Sequence, residues 1–508
     1  MRVTNMMLRN NSLSNVGKAK NKLLKADQQY TTQKKINRPS DDPVIAVRSL
    51  KYRTQLSEIQ QYVEKNIEDA YGWMNVTESA MDNIGNIFTT LKGLMDQGAS
   101  GNYTASDRSD IAQTLKEQVE HIYMDEANAD YAGRYVFSGY RTDTSLVFGK
   151  EEKNLAYNIT ESFQTSDIQK YNCVLGGANY TAGTDGQEYV DNSASLSTSY
   201  RVRLAYNNIS TSGMEVSDGA GEWPAEGIDD YVTITYTLAD GTTEEVVATT
   251  KISTDEDANV VAEDGVCLIA DTGELVFGEE LYQKLIANSS VLNVEYTKTE
   301  FDEDDVRPEM YFGCTSYDKI SEKTVTYNPP QGQDIEYEVN FSQTLRVNTQ
   351  ACDAISTDIG RTIDYIIAKI NDVVLVENKI NEVKQLLKTE KDETEIASLT
   401  KLQETLESEK AMREQVLTEA FGKGLTMIDN TQSQLNDALA NHGSRYSRLE
   451  LTYNKLIEQQ DDFEDMLSNN EDIDLAEAAI NLTTAQNLYN ASLQGTIKVL
   501  GNSLLDYI

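Results

Sequence analysis

Residues that usually carry chemistry are scarce in this chain. His121 and His442 are its two histidines among 508 residues, and no P-loop, GxGxxG, GxSxG or HExxH motif occurs. Nucleotide, dinucleotide, serine-hydrolase and zinc-protease chemistry therefore has no recognisable carrier. No catalytic, cofactor-binding or metal-ligating residue is assigned, and no cofactor is expected. The four cysteines, Cys173, Cys267, Cys314 and Cys352, lie far apart without a CxxC pair, which removes the usual zinc and redox motifs and favours free thiols. No run of 18 apolar residues exists, so no membrane span is expected. The N-terminus lacks the continuous apolar core of a secretory signal, so export would use another route. Basic charge is also short, with 44 Lys and Arg against 83 Asp and Glu, a net charge of −39. Such a surface repels a phosphate backbone, and nucleic acid is not an expected partner. Two Trp and 10 Phe stand against 28 Tyr, a balance suited to half-exposed sheet surfaces and wet interfaces.

The little positive charge there is collects at one end. Residues 1–53 hold twelve Lys and Arg against three acids, whereas residues 471–508 hold five acids against Lys498. Both segments carry apolar residues at steps of three and four: Val3, Met6, Leu13, Val16, Leu23 and Tyr30 at one end, and Leu475, Ala479, Leu482, Gln486, Tyr489, Leu493, Thr496 and Leu500 at the other. Opposite charge on two striped helices favours their pairing, with each other or with the same segments of neighbouring copies. Asn10, Lys20 and Asp27 interrupt the N-terminal stripe, so order is expected to come from neighbours. The assembly residues assigned to these seams are Val3, Met6, Leu13, Val16, Leu23, Leu482, Tyr489, Leu493 and Leu500.

Between the ends the pattern predicts a mainly α chain with an inserted β-rich domain, a long coiled-coil-like helical rod built from both chain halves. Residues 1–36 and 471–508 form the two halves of a terminal coiled-coil domain in this reading. Residues 37–148 and 345–470 form the two halves of the rod, and residues 149–344 a variable β-rich insertion of one lobe or two. Asp42 caps and Pro43 opens a long helix, whose apolar series runs Leu56, Ile59, Val63, Ile67, Ala70, Met74, Thr77, Met81, Ile84, Phe88, Leu91 and Met95. The spacing loosens near Val63, where the seam should straighten. A second helix carries Ile111, Leu115, Val119 and Ile122 and stops at Gly133, and residues 134–148 take strand composition. Strands are predicted at 200–206, 232–238, 274–277, 292–296, 323–327 and 335–339, with Asp240-Gly241 as a hairpin turn. Helix returns near Thr344 with Cys352, Ile355, Ile359, Ile363, Ile366, Ile370 and Val373. An extra charged helical segment, residues 377–419, fits either a hairpin turning near Lys388 to Glu395 or one extended helix. A last long helix carries Ile428, Leu435, Ala438, His442, Tyr446, Leu449, Leu456 and Phe463.

Several separated motifs resemble the flagellin superfamily: the opening Met1-Arg2-Val3-Thr4-Asn5-Met6-Met7, the segment Asn37-Arg38-Pro39-Ser40-Asp41-Asp42-Pro43, the turn at Phe137-Ser138-Gly139 and the closing Ser503 to Ile508. The two prolines and the Phe137-Ser138-Gly139 turn look like the members that join hook to filament, with filament flagellin as the alternative. The resemblance covers about 150 residues at the N-terminus and about 80 at the C-terminus, and leaves out the β-rich middle. It implies a structural subunit of the bacterial flagellum that forms a ring of its own copies and stacks between the first hook-associated protein and flagellin. It also implies secretion through the flagellar type III export apparatus, and a chaperone on the C-terminal segment. An adhesin or glycan-active protein on a helical stalk is the reading from another class.

The remaining chemical candidates have plain structural readings. His442 falls on the apolar series and reads as a packed histidine, and Cys352 as a small hydrophobe. Glu300 to Asp305 lacks the alternating ligands and glycine of a calcium loop and reads as a solvated acidic loop.

Overall fold

The structure, a computed structural model, describes residues 5–100, 103–183, 186–190, 194–211, 214–215, 222–223, 232–239, 241–255, 257–330 and 332–505. The helices in chain order are α1 (Asn5–Thr32), α2 (Pro43–Gln61), α3 (Glu68–Ala99), α4 (Ala105–Glu120), α5 (Glu279–Asn288), α6 (Ala351–Ala354), α7 (Asp358–Thr389), α8 (Glu393–Glu471) and α9 (Leu475–Leu505). Two compact units result: Met1–Ala70 with Tyr337–Leu345 and Ser447–Ile508, and Tyr71–Glu336 with Arg346–Tyr446.

In the first unit α2 starts where the sequence predicts. The Asp42 carboxylate accepts hydrogen bonds from the Val44 and Ile45 amides at 2.9 and 3.3 Å, ahead of Pro43 in the first turn. Between α2 and α3 the backbone widens into a π turn at Tyr62–Ile67, where the apolar spacing loosens. The turn absorbs the offset and keeps Ile59, Val63 and Ile67 all buried. A β-hairpin of Glu336–Asn340 with Gln343–Arg346 lies beside it. Asn66 Nδ2 donates to the Glu338 carbonyl at 2.8 Å, and Gln343 Nε2 to Thr452 Oγ1 at 3.3 Å. Across from α2, the Phe463 ring of α8 stands 6.3 Å from that of Tyr52.

The second unit holds a helical layer and two larger sheets, with smaller two-stranded pairs beside them. Met74, Met81, Ile84, Phe88, Leu91 and Met95 of α3 are buried, as are Ile359, Ile363, Ile366 and Ile370 of α7 and Ile428 and Leu435 of α8. Close approach of these helices needs Gly424, where a Cβ would sit 2.9 Å from Ile366 Cδ1 and 3.2 Å from Met95 Sδ. Helix α7 breaks at Glu390, and Asp392 caps α8 by accepting the Thr394 amide at 2.8 Å. Residues 377–419 are thus a helical hairpin, closed by Val376, Ile380 and Val383 with Leu399, Leu402 and Leu406.

One antiparallel sheet runs, edge to edge, Thr243–Val247, Val232–Thr237, Val291–Lys298, Leu155–Gln164, Gly313–Asp318 and Lys323–Tyr327. The other runs Thr249–Lys251, Val266–Ile269, Glu274–Phe277, Ser195–Arg203 and Gln169–Leu175, with only its first pair parallel. The predicted turn residue Asp240 lies outside the described residues.

Four expectations are corrected. Helix does not return at Thr344, which lies in the strand Gln343–Arg346; it starts with the single turn α6 and, past the extended Ile355, with α7. Residues 134–148 form a strand only at Arg134–Tyr135, and Val136, Phe137, Leu146, Val147 and Phe148 are instead buried anchors of a loop. Apolar composition alone does not separate the two. Gly133 does not stop α4. The helix leaves through a π turn at His121–Glu126, and Asn128 Nδ2 covers the Tyr123 and Met124 carbonyls at 3.1 Å. Gly133, at φ +76°, belongs to the tight turn joining Asp130–Tyr131 to Arg134–Tyr135. The acidic loop is solvated at Glu300, Asp302 and Glu303, but Phe301 is buried and Asp305 stands 3.5 Å from the buried Lys298 Nζ.

Candidate assembly interface

Helices α1 and α9 lie against each other in the first unit. Among the described residues Ala19, Ala26, Ala478, Ala485 and Thr496 are buried on them, while Val16, Leu23, Leu482, Tyr489 and Leu493 are half-buried. Positions 16, 19, 23 and 26, and 478, 482, 485 and 489, alternate steps of three and four, the spacing of a two-helix seam. Alanine fills the tightest positions of that seam. Other large apolar side chains point away from the seam: Met6 is 65% exposed, Leu13 54%, Ile480 66% and Ile497 68%. Large apolar side chains left exposed on a helix pair are open to contact by a neighbour.

Of the assigned seam residues, Val16, Leu23, Leu482, Tyr489 and Leu493 fall on the half-buried side, and Met6 and Leu13 face outward. Val3 lies outside the described residues, and of Leu500 only its place in α9 is described. The alanines carried no clear signal, because a methyl group in a polar helix barely changes an apolar pattern.

A polar knot ties the root of this pair to α2 and the end of α8. The Lys35 amide donates to the Glu471 carbonyl at 2.6 Å and the Ile473 amide to the Gln33 carbonyl at 3.0 Å. Arg53 Nη2 lies 2.7 Å and Lys34 Nζ 3.4 Å from Glu471 Oε2, and Lys34 also pairs with Asp472. Asn470 Nδ2 donates to Ser49 Oγ at 2.7 Å and to the Ile45 carbonyl at 3.0 Å. Hydrogen bonds from Lys34 and Ser468 hold Asp472 below the usual carboxylate range. Burial works to raise Glu471, but its bonds to Arg53, Ser49 and Lys34 outweigh it and the net shift is downward. Lys34 is raised, by Asp472 first. Sequence reading found the opposed charge of the two ends but not these partners, which lie more than 400 positions apart.

The Asn37 to Pro43 motif supplies the turn between α1 and α2. Asp41 accepts the Asn37 and Arg38 amides at 3.2 and 3.0 Å and donates its own amide to the Arg38 carbonyl at 2.9 Å. Pro39, Ser40, Asp42 and Pro43 complete it. The second motif lies in the other unit. There Phe137 and Ser138 are buried, the Ala351 amide donates to the Phe137 carbonyl at 3.0 Å, and Gly139 takes φ +59°.

His121 is exposed, 2.7 Å from Asp125. His442 is buried, and desolvation, then Arg445, pushes it down to about 4. It stays neutral at neutral pH. Burial, then Asp353, pushes the Cys352 thiol up to about 11. No helix among the described residues is long and apolar enough to cross a membrane.

The first unit thus carries the two ends of the chain as a helix pair, with Met6, Leu13, Ile480 and Ile497 exposed on it. Residues 3–142 match the bacterial flagellin N-terminal helical region, and residues 425–508 the bacterial flagellin C-terminal helical region. It is similar to flagellar hook-associated protein 3 of Salmonella typhimurium, 25% identical over 146 residues that cover 28% of this chain and 45% of that one. The protein of the same name in Escherichia coli is 22% identical over 176 residues, 35% of this chain and 55% of that one. A flagellin of Clostridium tyrobutyricum is 21% identical over 192 residues, 36% of this chain and 51% of that one. The chain thus spans about half the length of the curated relatives it matches. Among solved structures, the flagellar junction protein FlgL from Legionella pneumophila aligns with 84% of this chain and 100% of its own, at 12% identity and a TM-score of 0.28.

Proposed function

We propose that this chain is a structural subunit of the bacterial flagellum that joins hook to filament, assembling through its terminal helices and catalysing no reaction. The observation that carries the reading is the α1–α9 pair, whose alanine seam uses small residues internally and leaves Met6, Leu13, Ile480 and Ile497 exposed for neighbours. Residues 1–36 and 471–508 are the terminal domain in this reading, 37–148 and 345–470 the rod, and 149–344 the variable insertion. The partners are copies of the chain in a ring, the first hook-associated protein on one side, flagellin on the other and an export chaperone on the C-terminal segment. The protein acts outside the cell, reaching its place through the flagellar export apparatus. The matches to hook-associated protein 3 and the prolines Pro39 and Pro43 support the junction over the filament.

Immunogold labelling of flagella, with deletion of the gene, tests this. Gold confined to the hook–filament boundary, with hooks but no filaments in the deletion, is expected. Label along the whole filament would assign the chain to flagellin, and unchanged flagella in the deletion would refute both.

A further inference from the structure

In the second unit the strand Leu155–Gln164 places Glu161 on its inner face with Tyr157 and Ile159, and all three are buried. A carboxylate is seldom buried without a cation to pair with. Among the described residues the hydrogen-bond partners of Glu161 are neutral. The Ala205 amide donates to Oε1 at 3.0 Å and to Oε2 at 3.3 Å, and the Tyr296 hydroxyl donates to Oε1. Tyr296 lies on the neighbouring strand Val291–Lys298, diagonal to Glu161, which stands opposite Val294. Ala205 lies just beyond the strand Ser195–Arg203 of the five-stranded sheet. One carboxyl group therefore joins the six-stranded sheet to the chain leaving the other.

The charged groups around it supply no counter-ion. Arg361 of α7 acts on Glu161 favourably, but its guanidinium donates to the carbonyls of Leu204, at 3.4 Å, and Thr272, and pairs with Asp364 at 3.2 Å. Asp358 of α7 adds like charge. Tyr206, buried beside it, is raised by burial and stays neutral, as does Tyr296. Burial thus outweighs the bonds from Tyr296 and Ala205 and pushes Glu161 up to about 7. The Tyr296 oxygen can accept from the acid as its hydroxyl donates to the carboxylate, so the bond serves both forms. What ionisation adds is a charge in an apolar place.

We propose that Glu161 is a pH-sensitive tie between the two larger sheets, firm when protonated in mildly acid solution and loosened when it ionises above neutrality. The tie sits inside the β-rich part, away from the terminal helices, and is independent of how the chain assembles.

Amide exchange of the full chain tests it, read in peptides covering residues 155–164 and 200–209 and corrected for intrinsic exchange. A carboxyl group raised in the folded state contributes fully below its unfolded value of about 4.3 and loses that contribution as pH rises through the folded one, here about 7. Between pH 6 and 8, protection of the wild type should fall about tenfold more than that of Glu161→Gln, which keeps the shape without the charge. Asp304, pushed up to about 6 by burial and then by Glu120, titrates in the same unit, so the difference between the two proteins isolates Glu161. Tyr296→Phe removes a donor that pulls the carboxyl down, and should move the transition to higher pH. Equal pH dependence in the wild type and folded Glu161→Gln would overturn the proposal. Should Glu161→Gln fail to fold, Tyr296→Phe decides, and an unmoved transition there would overturn it.

Discussion

Glu471 closes on Arg53 at 2.7 Å across the root of the terminal helix pair. Its side chain is 8% exposed, whereas that of Arg53 is 59% exposed, so the carboxylate is the member whose loss leaves unmet groups inside. Glu471→Gln is expected to cost about 1 kcal/mol, the scale of one charge-assisted hydrogen bond offset by an exposed partner. Amide exchange should speed up in α1 and α9 and stay unchanged in α7. Uniform change across the chain would argue against a local knot.

The same knot has a pH dependence of known sign. Glu471 and Asp472 are depressed, so their contribution is present above the unfolded value of about 4 and is lost as pH falls through the folded values. Lys34 is raised, so its contribution is full below its unfolded value of about 10.4 and is lost as pH rises through the folded one. Exchange rates in α1 and α9 measured from pH 3 to 7, corrected for intrinsic exchange, should show protection falling on the acid side, about pH 4 and below. Flat protection across that range would contradict this.

The alanine seam predicts that enlargement is worse than polarity at its edge. Ala485→Leu puts three extra carbons into a tight position and is expected to cost about 1–3 kcal/mol. Tyr489→Gln, half-buried at the edge, should cost less. Helicity lost on urea titration of the two variants would rank them, and the reverse order would mean that α1 and α9 do not meet at these alanines.

In the second unit, Arg201 Nη1 and Arg203 Nε lie 2.6 and 3.2 Å from Glu274 Oε1, and Glu274→Ala leaves both without their shared carboxylate. Removing one member of a buried charge cluster is expected to cost about 3–5 kcal/mol. Thermal melting of the purified chain measures it, and a loss below about 1 kcal/mol would mean that water solvates these guanidiniums.

What the sequence made legible is what repeats locally. The buried series from Ile59 to Met95 follows from steps of three and four, and even its break at Val63 marks a real π turn. Strands such as Glu274–Phe277 and Lys323–Tyr327 stand where β-branched and aromatic residues predict them. Strands Leu155–Gln164, Gln169–Leu175 and Gly313–Asp318 were not anticipated, since their polar residues blur alternation. Ala19 and Ala478 were invisible because large side chains dominate any apolar pattern, and here some of those side chains, Met6 and Leu13 among them, face outward. The Arg201 cluster, with the ring centre of Tyr365 3.8 Å away, joins residues over 150 positions apart, and no local period records such a meeting.

The central claim is that the outer apolar face of the terminal pair drives assembly. Ile497 is 68% exposed, so Ile497→Asp should leave the monomer within about 0.5 kcal/mol of wild type. At a subunit contact the same carboxylate would be desolvated without a partner, at several kcal/mol per contact. The decisive measurement is the amount of exported Ile497→Asp protein incorporated into flagella, with export verified in the culture medium. The account predicts normal melting and export with incorporation abolished and filaments missing. Normal filaments with the variant present in them would contradict it.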